Sequence, residues 1–357
     1  MPTPCESIPR FLTEAIPPRI APARQAAAHE LLVAEWAVWS LPDHRTLFAR
    51  LHELSDACRK HDWPCWSVDR GASWLTIHLL GFGLPEPIEN RLRFNRAMAG
   101  ENLGEIVWQM KTIPDCVASI QAALVRLGLE HHIQVEPARG WESAPWHMER
   151  LAGTTGMKID WSRQPTDWPS LWDPVAAPLR TPLYQLDHPG VSAAAQAWRP
   201  GSLRQFAVVT AAARRADRAG RNVIDWAAEN ECRLSPLAPY VRTTGGLLLF
   251  AEQIVTALHE LGGLDWQHAV ECIAPDAVET RFREREPHVL ESLRRQGHAA
   301  ETAWRTCDAL RAAAADCDSL AVHLTNAVLT YRMLWFGGQL SSVFQPGLER
   351  SARSDSR

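Results

Sequence analysis

The chain has 357 residues and a formal net charge of −4, and its composition is 46% hydrophobic and 22% charged. These values are ordinary for a globular protein with a sizeable core, and they predict one large domain or two to three small ones. A chain that grips duplex DNA by itself usually carries a basic excess. The overall charge therefore argues against strong independent DNA binding, although it leaves room for local basic patches.

The eight cysteines stand singly, without a Cys-x-x-Cys pair or a zinc-type spacing with histidine. Scattered cysteines without a signal peptide are typical of reduced, buried thiols. No apolar run approaches the roughly 18 residues of a membrane span. We therefore expect a cytoplasmic protein that does not cross the membrane.

Residues 1–25 are rich in Pro, Ala and Arg and show no sustained periodicity, so we expect a flexible leader there. Residues 26–39 and 44–61 follow with helical periodicity. Residues 63–68 form a short strand candidate, and Arg70-Gly71-Ala72-Ser73 then forms a loop before an apolar segment.

A second strand is predicted over residues 102–110, shortly after Leu92-Arg93-Phe94-Asn95-Arg96. Residues 114–127 then predict a helix with a regular apolar face. Further along, a helix is predicted over 206–213, and Arg214 to Arg218 is a charged segment that either contacts phosphate or forms a solvated turn.

The most informative stretch is Thr243 to Trp266, TTGGLLLFAEQIVTALHELGGLDW. Its apolar residues recur at helical spacing, which predicts a one-sided helix; they are Phe250, Ile254, Ala257, Leu258 and Leu261. Helices are also predicted over 276–296 and 300–315. The last predicted helix, around 326–335, has Leu320, Leu324, Ala327, Val328, Tyr331, Leu334 and Trp335 on one side.

The serial order of these pieces resembles the alpha (catalytic) subunit of bacterial DNA polymerase III, a C-family polymerase. The matching pieces are the Arg-Gly-x-Ser loop, the Phe-Arg signature, Asn222-Val223-Ile224-Asp225, the Phe-x-Glu-Gln stretch at Phe250 and the Tyr-x-x-x-Trp helix at Tyr331. The resemblance covers about residues 28 to 340 and has no long identical stretch.

The resemblance implies an α+β, predominantly helical fold: a polymerase-beta-like nucleotidyltransferase palm, a reduced thumb and helical partial fingers. It divides the chain at predicted boundaries: leader 1–25, first palm-like part 26–127, reduced thumb-like part 128–180, second palm-like part 181–232, fingers-like part 233–345 and tail 346–357.

The family's metal-binding carboxylates are mostly lost. The family places three aspartates on the strand that follows the Phe-Arg signature, and here those positions fall on or near Glu105, Val107 and Gln109. Two Mg²⁺ ions about 3.5–4 Å apart need several anionic oxygens, which one carboxylate does not supply. Asp225 matches the family's third carboxylate. Glu105 and Asp225 are thus the remnant candidates for catalysis and for metal binding.

Phosphate-binding residues are also reduced. Arg70, Gly71 and Ser73 match the loop that supports the triphosphate in the family, and they form either a phosphate site or an inherited structural turn. Leu320 and Ala321 replace the Lys and Ser of a family Lys-Ser-His motif, and His323 stands one residue late.

Two hypotheses follow. The first is a catalytically degenerate polymerase-like protein with an accessory role, which contacts DNA or a replication or repair protein through residues such as Arg214, Arg215 and His323, without a cofactor. The second is an active DNA-directed DNA polymerase that uses Mg²⁺ on Glu105 and Asp225, with Asp115 or Asp217 as further ligand candidates.

Overall fold

The computed structural model describes residues 8–90, 92, 103, 107–154, 169–176, 188–274 and 278–344. Helices dominate these residues, and a single small sheet accompanies them, so the chain is α+β and predominantly helical. No helix in the described ranges is both long and apolar enough to span a bilayer. Seven of the cysteines lie in the described residues. All seven are free thiols, and five of them are buried as expected.

The N-terminal part combines helices with the sheet. Its elements are α1 (Arg10–Arg19), α2 (Gln25–Trp39), α3 (Pro42–His61), β1 (Cys65–Ser67), α4 (Leu75–Leu80), β2 (Trp108–Thr112), α5 (Val117–Leu127), β3 (Ile133–Pro137) and α6 (Gly140–Thr154). The sheet order is β1-β2-β3. β1 runs antiparallel to β2, with Trp66 opposite Lys111, and β3 runs parallel to β2, with Val135 opposite Met110.

The remainder is helical. Its elements are α7 (Pro169–Ala176), α8 (Pro189–Trp198), α9 (Leu203–Arg218), α10 (Val223–Glu229), α11 (Ala238–Val241), α12 (Ala251–Glu260), α13 (Trp266–Glu271), α14 (Val278–Arg295), α15 (Ala300–Ala314) and α16 (Leu320–Phe344). The helix α16 packs against α6, α7 and α9, and its predicted apolar face is buried throughout, from Leu320 to Trp335.

Three main apolar cores stabilise these elements. The first lies among α1 to α5 and the sheet, and includes Trp39 and Trp108. The second joins α7, α8, α9 and α16 around Phe206 and Tyr331. The third holds α11 to α15 together around Phe282. Burial of such apolar side chains, worth about 25 cal/mol per Å², is the main favourable contribution to folding.

The first difference from the sequence prediction is at the N terminus. Residues 10–19, placed in a flexible leader by composition, form α1 instead. Leu12, Ile16 and Ile20 recur every four residues and are all buried. This stripe outweighs Pro17 and Pro18, which lie in the last turn of the helix.

The predicted strand over 102–110 begins only at Trp108 in the described residues and continues to Thr112. The side chains of Val107 and Gln109 are exposed, whereas Trp108 and Met110 point into the first core. Strand β3 was not predicted. In its five residues only Ile133 and Val135 show the apolar alternation of a strand, and so short a pattern does not distinguish a strand from a loop.

Candidate functional site

The turn before α4 is held by Asp69. One carboxylate oxygen, Oδ1, accepts hydrogen bonds from the Gly71 N–H (2.7 Å) and the Ser67 hydroxyl (2.8 Å). The other, Oδ2, accepts from the Gln109 N–H on β2 (2.7 Å). The resemblance predicts that the N–H of Gly71 points toward a phosphate. In the structure this N–H donates to the carboxylate of Asp69 instead.

Gly71 also has a packing reason to be glycine. A Cβ at this position would lie 2.7 Å from two ring carbons of Trp108, closer than a carbon contact permits. Ser73 of the same turn is 4% exposed. The backbone of Arg70 starts this turn, and its side chain lies outside the description.

The N terminus of α4 is occupied by a second carboxylate, Glu35 of α2. Its two oxygens each accept a backbone hydrogen bond at 2.8 Å, from the N–H groups of Leu75 and Thr76. The side chain is 1% exposed. Burial raises the pKa of Glu35 to about 7, because it opposes the charged form more than these hydrogen bonds favour it.

Sequence reasoning missed Glu35, although a signal existed. Within α2, Ala28, Leu32 and Trp39 are buried at helical spacing, and Glu35 falls at the seventh residue after Ala28 on the same side. A carboxylate inside an apolar stripe needs buried hydrogen-bond donors. Here those donors are the first two N–H groups of α4.

The start of α12 contains the Phe-x-Glu-Gln signature, and both polar residues are buried. Gln253 Oε1 accepts from the N–H groups of Leu249 and Phe250 at 2.8 Å. Its Nε2 lies 2.9 to 3.0 Å from the Tyr240 carbonyl, the Thr244 hydroxyl and the Leu247 carbonyl. The amide thus binds the preceding loop to the helix.

Glu252 reaches the N terminus of α16. The N–H of Leu320 lies 3.1 and 3.0 Å from its two oxygens, and the Ser319 hydroxyl lies 3.4 Å from one of them. Leu320 occupies the Lys place of the family's phosphate-binding motif. At both α4 and α16, then, a buried glutamate accepts hydrogen bonds from a helix N terminus that the resemblance associates with phosphate.

His323 belongs to a buried polar cluster behind this N terminus. It is 1% exposed, its Nδ1 is hydrogen-bonded with the Thr210 hydroxyl (2.8 Å), and its Nε2 is 3.6 Å from Asp318. Burial lowers the pKa of His323, although Asp318 opposes this shift. Burial would raise the pKa of Asp318, but His323, Arg214 and Arg218 hold it at about 2. The imidazole is thus enclosed by the protein and does not face solvent.

The arginines of the 214–218 segment have separate surroundings, because this segment is the last turn of α9 rather than a loop. Arg214 is exposed. Arg215 is 7% exposed, and it donates to the carbonyls of Leu248 (2.8 Å) and Leu249 (3.0 Å). Of Arg214 and Arg215, only Arg214 is thus available at the surface.

Asp225 is an exposed residue in the first turn of α10, where the Asn222 side chain accepts from its N–H at 3.4 Å. Asp115 and Asp217 are exposed on other elements. Glu105 lies outside the described residues. Within the described ranges no group of three or more His, Cys, Asp or Glu side chains is placed to hold a metal ion.

No family model matches the chain, and no curated protein matches it in sequence.

Proposed function

We propose that this protein is a catalytically degenerate relative of the DNA polymerase III alpha subunit, and that it acts by binding as an accessory to DNA replication or repair. In this proposal β1 and β2 with α2 to α5 belong to a palm, residues 128–180 to a reduced thumb, and α11 to α16 to partial fingers. The hydrogen-bonded surroundings of the retained signature residues support a scaffold role for them.

The observation that carries the proposal is the occupation of both helix N termini by glutamate. Helix N termini bind phosphate because their N–H groups are unpaired and carry partial positive charge. Glu35 takes the first two N–H groups of α4, and Glu252 takes the first of α16. A triphosphate would have to displace a buried glutamate side chain at either place.

The charge pattern favours a protein partner over duplex DNA. Many exposed arginines are paired with acidic neighbours on the same helix, so their positive charge is locally balanced. Such pairs on the described helices are Arg10–Glu14, Arg281–Glu284, Arg283–Glu279, Arg295–Glu291 and Arg311–Asp308. With a net charge of −4, we expect DNA contact to be weak and secondary to a replication or repair protein.

The test is primer extension, followed by DNA titration at two salt concentrations. The purified protein is incubated with a primed template, deoxynucleoside triphosphates and Mg²⁺ or Mn²⁺, and we expect no extension. Extension that is abolished in a Glu105→Ala, Asp225→Ala double variant would contradict the proposal and support an active polymerase.

The titration measures any DNA contact directly. Each phosphate contact contributes close to one unit to the slope of log K against log salt concentration, so we expect a slope of about one or two. Arg214→Gln should reduce it by about one unit if Arg214 contacts phosphate. Arg305→Gln, an exposed arginine on α15, is the matched control. A slope as steep as that of a dedicated DNA-binding protein would contradict the secondary role of DNA.

A further inference from the structure

A large cleft lies among the N-terminal elements and α16. Its volume is about 1370 Å³, and its walls come from α1, α3, residues 78–90, α6 and α16. Small-molecule sites commonly measure about 300–1,000 Å³, so the cleft has room for a metabolite-sized ligand and its water.

The acidic side chains of the cleft walls already have cationic partners. The pairs are Glu14 with Arg10 (2.6 Å), Asp62 with Arg150 (3.1 Å), Glu86 with Arg24 (2.6 Å) and Glu89 with Arg24 (3.3 Å). A further acid, Glu149, lies near Arg332. Burial lowers the pKa of Arg332 to about 10, and the negative charge of Glu149 opposes this shift. The negative charges of the cleft are thus largely balanced by the protein itself.

Arg19 differs from the other arginines that line the cleft. Arg59 pairs with Asp56, whereas Arg19, in the last turn of α1, has no carboxylate partner among the described residues. Among the described residues, the Arg19 side chain makes one hydrogen bond, a long one from Nη1 to the His78 carbonyl at 3.5 Å. A guanidinium has five N–H donors, so most of the donors of Arg19 remain for a ligand or water.

The surroundings leave the charge of Arg19 uncompensated. The side chain is partly buried, and burial together with the nearby Arg59 lowers its pKa, although an arginine remains charged at neutral pH. Burial also lowers the pKa of His78 to about 4, so that ring is neutral and adds no second positive charge beside Arg19. A partly desolvated guanidinium attracts an anion strongly.

We propose that this cleft binds a small organic anion, whose phosphate or carboxylate group is held by Arg19 and whose apolar part contacts aromatic side chains of the walls. Phe11 and Trp63 are partly buried and line the same cleft. The proposal goes beyond the accessory role above and does not depend on it, since Arg19, Phe11 and Trp63 are not among the residues that carry the polymerase resemblance.

The experiment is a titration with three probes: inorganic phosphate, phenyl phosphate and benzoate. Binding is measured by calorimetry and by the change in tryptophan fluorescence. We expect phenyl phosphate to bind more tightly than inorganic phosphate, because its ring is removed from water against the aromatic walls. Comparison of phenyl phosphate with benzoate shows whether the site prefers phosphate or carboxylate.

Arg19→Gln should weaken the binding of phenyl phosphate about ten-fold or more, since a hydrogen-bonded ion pair is lost. Arg305→Gln, the same change at an exposed arginine of α15, should leave it unchanged. Because Arg19 makes a single long hydrogen bond, the variant should fold, which its melting temperature checks. Should it fail to fold, Arg19→Lys replaces it. Lysine keeps the charge but not the fork of donors, and binding should fall by a smaller factor.

The proposal is overturned if the unaltered protein shows no saturable binding of any probe up to about 10 mM, or if folded Arg19→Gln binds phenyl phosphate as tightly as the unaltered protein. A duplex oligonucleotide provides the last arm. If DNA binding depends on Arg19 while the three probes do not bind, the cleft is a nucleic-acid site and the small-anion assignment is wrong.

Discussion

Glu35 and Glu252 place a carboxylate at two helix N termini, but they do so in different surroundings. Glu35 reaches from α2 to a helix start forty residues away, and it is almost fully buried with a pKa raised to about 7. Glu252 lies beside Gln253, whose amide nitrogen donates to Tyr240, Thr244 and Leu247, and Glu252 keeps 8% of its surface exposed. The same requirement for a helix cap is met by a lone buried acid in one region and by part of a polar network in the other.

This difference shows which cap stabilises the fold by hydrogen bonding and which one requires the desolvation of an acid. In the network around α12, the Gln253 amide and the Glu252 carboxylate are hydrogen-bonded to neighbouring groups. Networks that satisfy their polar groups specify a unique packing. At α4, one acid must lose its hydration to cap a helix, so its contribution changes with protonation. We therefore expect the α12 region to respond most to mutation and the α4 region to respond to pH.

The largest expected effect is at Gln253. Gln253→Ala should lower the free energy of unfolding by about 4 kcal/mol, because it removes several hydrogen bonds and leaves the buried N–H groups of Leu249 and Phe250 without an acceptor. Urea denaturation measures the change. The control is Gln267→Ala on the exposed side of α13, where the loss should stay within about 0.5 kcal/mol. A loss below about 1 kcal/mol for Gln253→Ala would mean that the network is not the main stabilising element here.

The sequence identified Phe250, Glu252 and Gln253 as a motif, but it did not indicate what the two polar side chains contact. Their partners at Tyr240, Leu247 and Leu320 are set by how the chain returns on itself. The helix itself was predictable, because its one-sided apolar spacing depends only on local order. The same holds for α5 and for the buried face of α16.

The sequence could not show features that depend on contacts between distant segments of the chain. Glu35 caps α4 across forty residues, and nothing local in either segment specifies that pairing. The α1 helix was hidden by Pro17 and Pro18, since composition indicated a leader while the stripe of Leu12, Ile16 and Ile20 indicated a helix. The arginines of the 214–218 segment predicted either a phosphate contact or a solvated turn. Arg215 is buried instead, and it donates to the carbonyls of Leu248 and Leu249.

The next effect in size is the pH dependence of Glu35. Its folded pKa of about 7 is raised above the ordinary value of 4.5. Between these values the folded protein binds more protons than the unfolded chain, so stability falls as pH rises and levels off above about pH 7. The loss attributable to Glu35 should be about 3 kcal/mol between about pH 4 and pH 8.

The measurement compares the unaltered protein with Glu35→Gln by urea denaturation across this pH range. Glutamine keeps an acceptor for a helix N–H but does not titrate, so the two stability curves should diverge, with the unaltered protein losing more stability as pH rises. Parallel curves would show that Glu35 has an ordinary pKa in the folded protein.

A smaller effect is expected at Glu252. Glu252→Ala should cost about 2 kcal/mol, because the first N–H of α16 loses a charge-assisted hydrogen bond. Glu30→Ala, at an exposed position of α2, is the matched control and should change the free energy of unfolding by less than about 0.5 kcal/mol. If Glu252→Ala costs no more than this control, water replaces the carboxylate, and the contrast between the two caps rests on Glu35 alone.

The smallest effect tests whether any remnant of metal chemistry persists at Asp225. Asp225→Asn should lower stability by about 0.5 kcal/mol or less, since it removes only a favourable charge in the first turn of α10. The informative comparison is the melting temperature with and without Mg²⁺ or Mn²⁺. A ligand that binds the folded state raises this temperature, so we expect the same small response in the unaltered protein and in Asp225→Asn. A rise that occurs only when Asp225 is intact would mean that this carboxylate binds a cation with Glu105 or another acid. That outcome would separate Asp225 from Glu35 and Glu252, because Asp225 would then be the one carboxylate of the three that binds a cation.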